Sequence, residues 1–279
     1  MEGKSALIFG AARGIGRAVA QEFVRRGARV ALADIDKAGA DEAAAAIVAA
    51  DGEAVAVQCD VLNDTSVQGA AVAAEQALGD IDIVMNNVGG ILRGYPEDIP
   101  IAEWDRMMNL NFMSAVRSNA YFIPRMIARG RGHIVNTASV AGLYPFAFSR
   151  IPYAAAKAAM IAMSGSLAVY LHPKGVRVSC FCVGPVITGI ADKMKTWSND
   201  APMIGPGSNL AVLTAEQAAT VLADGMDAGR VLIPTHEEFM ETLRQYAASP
   251  EAFIQMKIDE IAGGDDGRPN VLPPGVVPA

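Results

Sequence analysis

The chain has 279 residues, with 23 Lys plus Arg against 30 Asp plus Glu and a formal net charge of -7. Such an acidic balance argues against nucleic acid and anionic membranes as partners, because both reward clustered positive charge. With 52% hydrophobic and 19% charged residues the chain can bury a large core, and its length suits one α/β domain or two small ones. The N-terminal residues read as a first strand, not a signal peptide, and no apolar stretch reads as long enough to span a bilayer.

Short apolar or β-branched runs alternate with Ala-rich helical patterns as far as about residue 182, the mark of repeated βαβ units around a parallel sheet. Strands are predicted at 6–9, 29–33, 54–58, 81–85, 133–137 and 176–182, and helices at 14–26, 37–50, 65–78, 101–128 and 153–171. Over 186–213 the pattern gives way to Pro, Gly, Ser and Asn with scattered Met and Trp, which predicts a mobile flap. A helix at 214–226, a strand at 230–234 and helical pattern to about 261 follow it. Residues 1–262 are expected to form one domain, and the Gly/Pro-rich 263–279 a poorly ordered tail.

The cysteines, Cys59, Cys180 and Cys182, are odd in number and contain no CxxC, so a disulfide framework is not expected and a reducing cytoplasm is the simplest setting. His133, His172 and His236 lack partners at metal-ligand spacing, so they read as structural or surface residues and no metal site is expected.

Gly10, Arg13, Gly14, Ile15 and Gly16 lie in the turn between the first strand and the first helix. Glycines there let the backbone approach a pyrophosphate, and the free N–H groups of the helix start favour an anion; simple packing is the bland alternative. The second strand ends at Asp34, where a carboxylate would accept hydrogen bonds from an adenosine ribose. A 2'-phosphate facing it at about 4 Å would cost about 4 kcal/mol at an effective dielectric near 20, so NAD is favoured over NADP. Arg13 is the counter-argument, since a guanidinium can hold a 2'-phosphate, while Ile35 supplies no second basic group beside Asp34. Asp60 and Val61 close the third strand, and Asn86, Asn87, Val88, Gly89 and Gly90 the fourth, on the same rim. For Asp60 the plain alternative is a turn cap, and Asn86 reads as satisfying strand backbone.

Tyr153 and Lys157 stand one helical turn apart, and Ser139 lies beyond the fifth strand. The set Gly10-xxx-Gly14-Ile15-Gly16, Asp60, Asn86-Asn87-Val88-Gly89, Asn111, Ser139 and Tyr153-xxx-Lys157 resembles the short-chain dehydrogenase/reductase family over roughly residues 4–190. The resemblance implies a single Rossmann-type α/β domain, doubly wound, with a mainly parallel seven-stranded sheet flanked by helices, and a nicotinamide-linked oxidoreductase. It makes Tyr153 the general acid/base, Ser139 a hydrogen-bond partner of the substrate oxygen, and Lys157 a ligand of the nicotinamide ribose that depresses the tyrosine pKa. Asn111 would support a water relay through a helix irregularity, and Val186 and Thr188 would meet the nicotinamide carboxamide. Lowering a phenol from about 10 by about 2 to 3 units requires roughly 3 to 4 kcal/mol of preference for phenolate. The resemblance also implies a homotetramer, or a dimer, built on the long helices at 101–128 and 153–171.

Phe9 stands where the family often has Thr, Val88 where Ala is common, and Val183-Gly184-Pro185 where Pro-Gly is usual. The stretches 90–92 and 143–148, with Ile187, Ile190, Met194, Trp197 and Met203, form an apolar, aromatic and Met-containing set that suits a hydrophobic secondary alcohol or ketone. Two other readings stay open: an NADPH-dependent ketone reductase, and a nucleotide-sensing protein that keeps the fold without turnover. A serine hydrolase fits poorly, because Ser139 is not in a GxSxG elbow and no histidine is placed as its base.

Overall fold

The computed structural model describes residues 1–269. Its centre is a seven-stranded, wholly parallel sheet made of β1 (Ser5–Phe9), β2 (Arg29–Asp34), β3 (Ala54–Gln58), β4 (Ile83–Asn86), β6 (Gly132–Ser139), β7 (Val176–Val183) and β9 (Leu232–Pro234). The spatial order is β3-β2-β1-β4-β6-β7-β9, so the chain reverses direction across the sheet between β1 and β4. Strands buried on both faces read as continuous apolar runs. In β1, Ala6 and Ile8 enter one core while Leu7 and Phe9 enter the opposite one.

Helices α1 (Gly14–Arg25), α2 (Lys37–Val48) and α7 (Ala215–Asp227) cover the first face, with Phe23, Leu222 and Met226 fully or nearly fully buried. Helices α3 (Asp64–Leu78), α5 (Ser114–Arg129) and α6 (Ile151–Leu171) cover the second, around Phe122 and Met126. The helix starts are written locally: Asp36 caps α2, Asn63 caps α3, and Thr214 with Gln217 forms a reciprocal capping box on α7.

The predicted helix at 101–128 is three pieces: α4 (Ile101–Met108), one π-helical turn (Asn109–Met113) and α5. Asn111, fully buried in that turn, donates to the Gly90 carbonyl at 3.1 Å and accepts from the Gly90 N–H at 3.1 Å. The helical pattern after residue 236 divides at Ser249-Pro250 into α8 (Glu238–Ala248) and α9 (Pro250–Ala262), which build a third core with Tyr144 and Phe146 beneath the flap.

The flap is pinned along much of its length. Two two-residue strands, β5 (Leu92–Arg93) and β8 (Lys195–Thr196), pair in parallel and join it to the loop after β4. The Arg93 guanidinium reaches the carbonyls of Ala201 and Asn199, and the buried Glu103 carboxylate takes Lys195 at 2.8 Å. Past α9, the N–H groups of Gly205 and Gly207 donate to the carbonyls of Asp266 and Gly267 at 2.7 and 2.9 Å. The start of the Gly/Pro-rich segment is therefore bonded to the flap, and residues 270–279 lie outside the described residues.

One expectation is corrected. The helical run Phe148–Lys174, with a mean hydropathy of 1.4, is long and apolar enough to cross a membrane by length and composition. In the fold it lies against the sheet, with Met160 and Leu171 in the core and Lys157 buried.

Candidate active site

Parallel register brings the carboxyl ends of β1, β2, β4 and β6 to one rim, where Phe9 lies beside both Ala33 and Asn86. A cleft of about 410 Å³ opens along this rim at the point where the strand order reverses. At one end, Gly10 and Gly14 turn the chain with φ of +77° and +57°. A Cβ at Gly16 would stand 2.0 Å from the Gly10 carbonyl oxygen, so the turn and α1 meet at a distance that only glycine permits. Arg13, at the N-cap of α1, makes no side-chain cap, and the first turn carries no acidic residue, which leaves the helix N–H groups facing the cleft.

Asp34 lines the same end. Its carboxylate accepts from the Ala12 N–H and the Asp36 N–H, both at 3.0 Å, which fixes it against the glycine turn. Arg13 reaches across to Asp192 of the flap at 3.0 Å. Asn87 donates to the Gly10 carbonyl at 3.1 Å and accepts from the Thr137 hydroxyl at 3.3 Å, which ties β4 to β1 and β6.

At the other end Ser139 closes β6. Gly142, three residues on, packs so tightly on α6 that a Cβ there would lie 2.5 Å from the Ala158 nitrogen, and this contact holds Ser139 beside Tyr153. Ser139, Tyr153 and Lys157 are all buried and all line the cleft. Burial raises the Tyr153 phenol above its ordinary pKa, while the Ser139 hydroxyl and the Arg150 charge oppose the rise. Burial also pulls Lys157 down to about 8. Its ammonium donates to the Thr137 carbonyl at 2.8 Å and stands 5.8 Å from the centre of the Tyr153 ring. For the Tyr153 phenol, desolvation is the largest single influence.

Of the residues singled out from sequence, Gly10, Arg13, Gly14, Ile15, Asp34, Asn87, Val88, Gly89, Ser139, Tyr153, Lys157, Val186 and Thr188 line the cleft. Gly16 packs behind it, and Asn111 stands one layer back, where its amide carbonyl approaches Gly89 and holds Gly90. Ile35 is 66% exposed and Val61 is part of the core. Asp60 accepts from the Leu62 N–H at 2.9 Å, a turn cap. Asn86 departs from its reading: its side chain donates to Asn119 and Asn136, and Asn136 donates to Ser164, in a buried polar chain linking β4, α5, β6 and α6. His133 pairs with Ser179, His236 bonds Thr235 and the Ala211 carbonyl, and His172 is exposed.

At the apolar end Ile91, Phe146, Ile190 and Met203 line the cleft, while Leu92 and Tyr144 belong to the core and Trp197 stands 41% exposed. The sequence reading missed Arg150, Ile204 and Pro269, which complete this end. Nothing in the residue pattern marks Arg150 as buried; only the fold does.

The family model for short chain dehydrogenase matches residues 4–199. The chain is 32% identical over 247 residues to 1-deoxy-11-beta-hydroxypentalenate dehydrogenase of Streptomyces exfoliatus, covering 88% of this chain and 87% of that one. It is 32% identical over 186 residues to ketoacyl reductase HetN of Nostoc sp., where the match covers 67% of this chain and 64% of the relative's length. A short chain dehydrogenase/reductase from Burkholderia phymatum, solved in complex with NAD, superposes with a TM-score of 0.78 at 27% identity, covering 97% of this chain and 98% of the other. The chain belongs to the short chain dehydrogenase family, oxidoreductases of alcohols and ketones that use a nicotinamide cofactor. The uncapped start of α1, the glycine contact at Gly16 and the carboxylate at Asp34 fit a dinucleotide in this cleft.

Proposed function

We propose that the protein is an NAD-dependent dehydrogenase that interconverts a hydrophobic secondary alcohol and its ketone, with Tyr153 as general acid/base. The observation that carries this reading is the convergence of Ser139, Tyr153 and Lys157, all buried, at the apolar end of a cleft whose other end holds Asp34 and the glycine turn. Bound there, the nicotinamide supplies the hydride acceptor for oxidation and the donor for reduction.

The chain's own groups handle the proton and the alignment. Ser139 holds the substrate oxygen, and Tyr153 takes the hydroxyl proton in oxidation or returns it in reduction. A buried phenol with a raised pKa is protonated at neutral pH, which suits it to donate to a ketone oxygen. Lys157 braces Thr137 and presents a cation to the ribose end of the site. Asn111 holds the Gly90 backbone through the π turn and sets the position of Gly89 beside Lys157.

NAD is preferred because Asp34 stands where a 2'-phosphate would be repelled, and because Arg13 is engaged by Asp192. A homotetramer is supported by an exposed stripe of small residues on α6, namely Ala155, Ala158, Ala162, Gly165 and Ser166. The three cysteines, all unpaired and buried, suit a reducing cytoplasm.

The test is NADH formation from NAD, with NADP in parallel, across hydrophobic secondary alcohols, using Tyr153→Phe as the control. Turnover that prefers NAD and disappears in Tyr153→Phe while NAD binding persists is the expected result. Turnover that survives in Tyr153→Phe removes the assignment.

A further inference from the structure

Three cations line the cleft: Arg13, Arg150 and Lys157. Arg13 is exposed and paired with Asp192, and Lys157 is bonded to the Thr137 carbonyl. Arg150 differs from both. It is 8% exposed, and no carboxylate among the described residues lies within ion-pair distance of it. Its Nη2 donates to the Ile204 carbonyl at 2.6 Å, its Nη1 meets, among the described residues, only the Met203 sulfur at 3.9 Å, and its guanidinium carbon stands 5.6 Å from the centre of the Phe146 ring.

A guanidinium has more N–H donors than these contacts use, and a thioether is a weak acceptor. Taking such a charge out of water without a counter-ion is costly. The group stands immediately before α6, one helical turn from Tyr153 and close enough for its charge to act on the phenol. Around it the cleft is otherwise apolar, with Ile91, Phe146, Met203 and Ile204. This is a planar, largely buried donor group with N–H groups beyond those its contacts use, set in a hydrophobic wall of the cleft.

We infer that Arg150 binds a carboxylate of the substrate, which is therefore a lipophilic hydroxy acid oxidised to the corresponding keto acid. Of the two cations at that end, Lys157 is committed to the Thr137 carbonyl, and the one remaining guanidinium matches a carboxylate monoanion better than a phosphate dianion. The inference rests on the oxidoreductase reading above and narrows its substrate class. It also reconciles the apolar lining with a buried charge that an uncharged alcohol would leave uncompensated.

The experiment compares trans-4-hydroxycyclohexanecarboxylate with its methyl ester as substrates in the presence of NAD, in the wild type, Arg150→Gln and Arg150→Lys. In parallel, cyclohexanecarboxylate and cyclohexanecarboxamide are tested as non-reacting ligands that raise the Tm of the NAD complex, a readout that needs no turnover. The expected wild-type preference for acid over ester is about tenfold or more in kcat/KM, falling to near unity in Arg150→Gln and partly kept in Arg150→Lys. Cyclohexanecarboxylate is expected to raise the wild-type Tm, and the carboxamide and the Arg150→Gln protein to show no such rise. Equal use of acid and ester by the wild type overturns the inference. So does an acid-to-ester ratio that Arg150→Gln leaves unchanged while slowing both, which is the result a purely structural or electrostatic role gives. If neither substrate turns over, the absence of carboxylate-specific stabilisation overturns it equally. Carboxylate binding through Arg150 with no Tyr153-dependent oxidation of any alcohol would instead sink the oxidoreductase reading and leave the anion site standing.

Discussion

Asp192 of the flap and Arg13 of the glycine turn meet at 3.0 Å, with more than half of each side chain exposed. An exposed pair of this kind contributes little to stability, about 0.5 kcal/mol or less. In the function proposed above its effect falls on cofactor choice, because it neutralises the guanidinium that could hold a 2'-phosphate. Asp192→Asn is expected to raise kcat/KM with NADP relative to NAD several-fold and to leave the urea midpoint nearly unchanged. An unaltered cofactor ratio would show that Arg13 has no access to the 2' position.

Gly16 sits where a Cβ would stand 2.0 Å from the Gly10 carbonyl oxygen. Gly16→Ala must therefore push the turn off α1, at a cost of about 1 to 3 kcal/mol. Loss of NAD affinity measured by calorimetry, with the sheet retained by circular dichroism, is the expected outcome. Wild-type affinity would mean that the turn yields without consequence.

Tyr153 is pushed up by burial and held back by Ser139 and Arg150. With Tyr153 as the proposed acid/base, oxidation calls for the phenolate, so its kcat/KM is expected to climb with pH through the alkaline range, while ketone reduction, which calls for the phenol, declines. Ser139→Ala removes one of the two opposing influences and should move both profiles toward higher pH, beyond any loss in kcat. Profiles that keep their position would detach Ser139 from the tyrosine proton.

Lys157 is lowered by burial from 10.5 to about 8. Between those values the unfolded chain keeps the proton that the folded chain has released, so the unfolded state binds more protons and stability rises with pH. Cys59, raised from 9.0 to about 11, has the opposite effect once the thiol of the unfolded chain begins to ionise near 9. Over about pH 8 to 9 the Lys157 contribution to urea-unfolding stability should grow by about 1 kcal/mol in the cofactor-free wild type, read against the background of the three cysteines, which Lys157→Met retains. Lys157→Met should abolish that gain.

The central strands were legible because a parallel strand buried on both faces is a continuous apolar run, as in Ala6-Leu7-Ile8-Phe9. The glycine turn, Asp34, Ser139 and Tyr153 were legible because each sits at a strand end or a helix start, which the alternation of elements locates. The flap's anchoring was not. β5 and β8 are two residues each and about a hundred residues apart, so neither has a period to detect. Arg150 was hidden for a different reason: between Ser149 and Ile151 it looks like a solvated side chain, and only the arrival of Phe146 and the 203–204 backbone around it removes it from water. Asn86 was misread because the partners of its side chain, Asn119 and Asn136, come from two other elements.

The two backbone hydrogen bonds from Gly205 and Gly207 to the segment after α9 make the roof over the substrate end a joint of two strips distant in sequence. Neither strip can lift alone without leaving backbone groups unpaired, so in the function proposed above product departure calls on both strips. Turnover limited by that departure would then respond to changes around residues 264–268, none of which touches the reacting carbon, and would do so with no change in the chemical step itself.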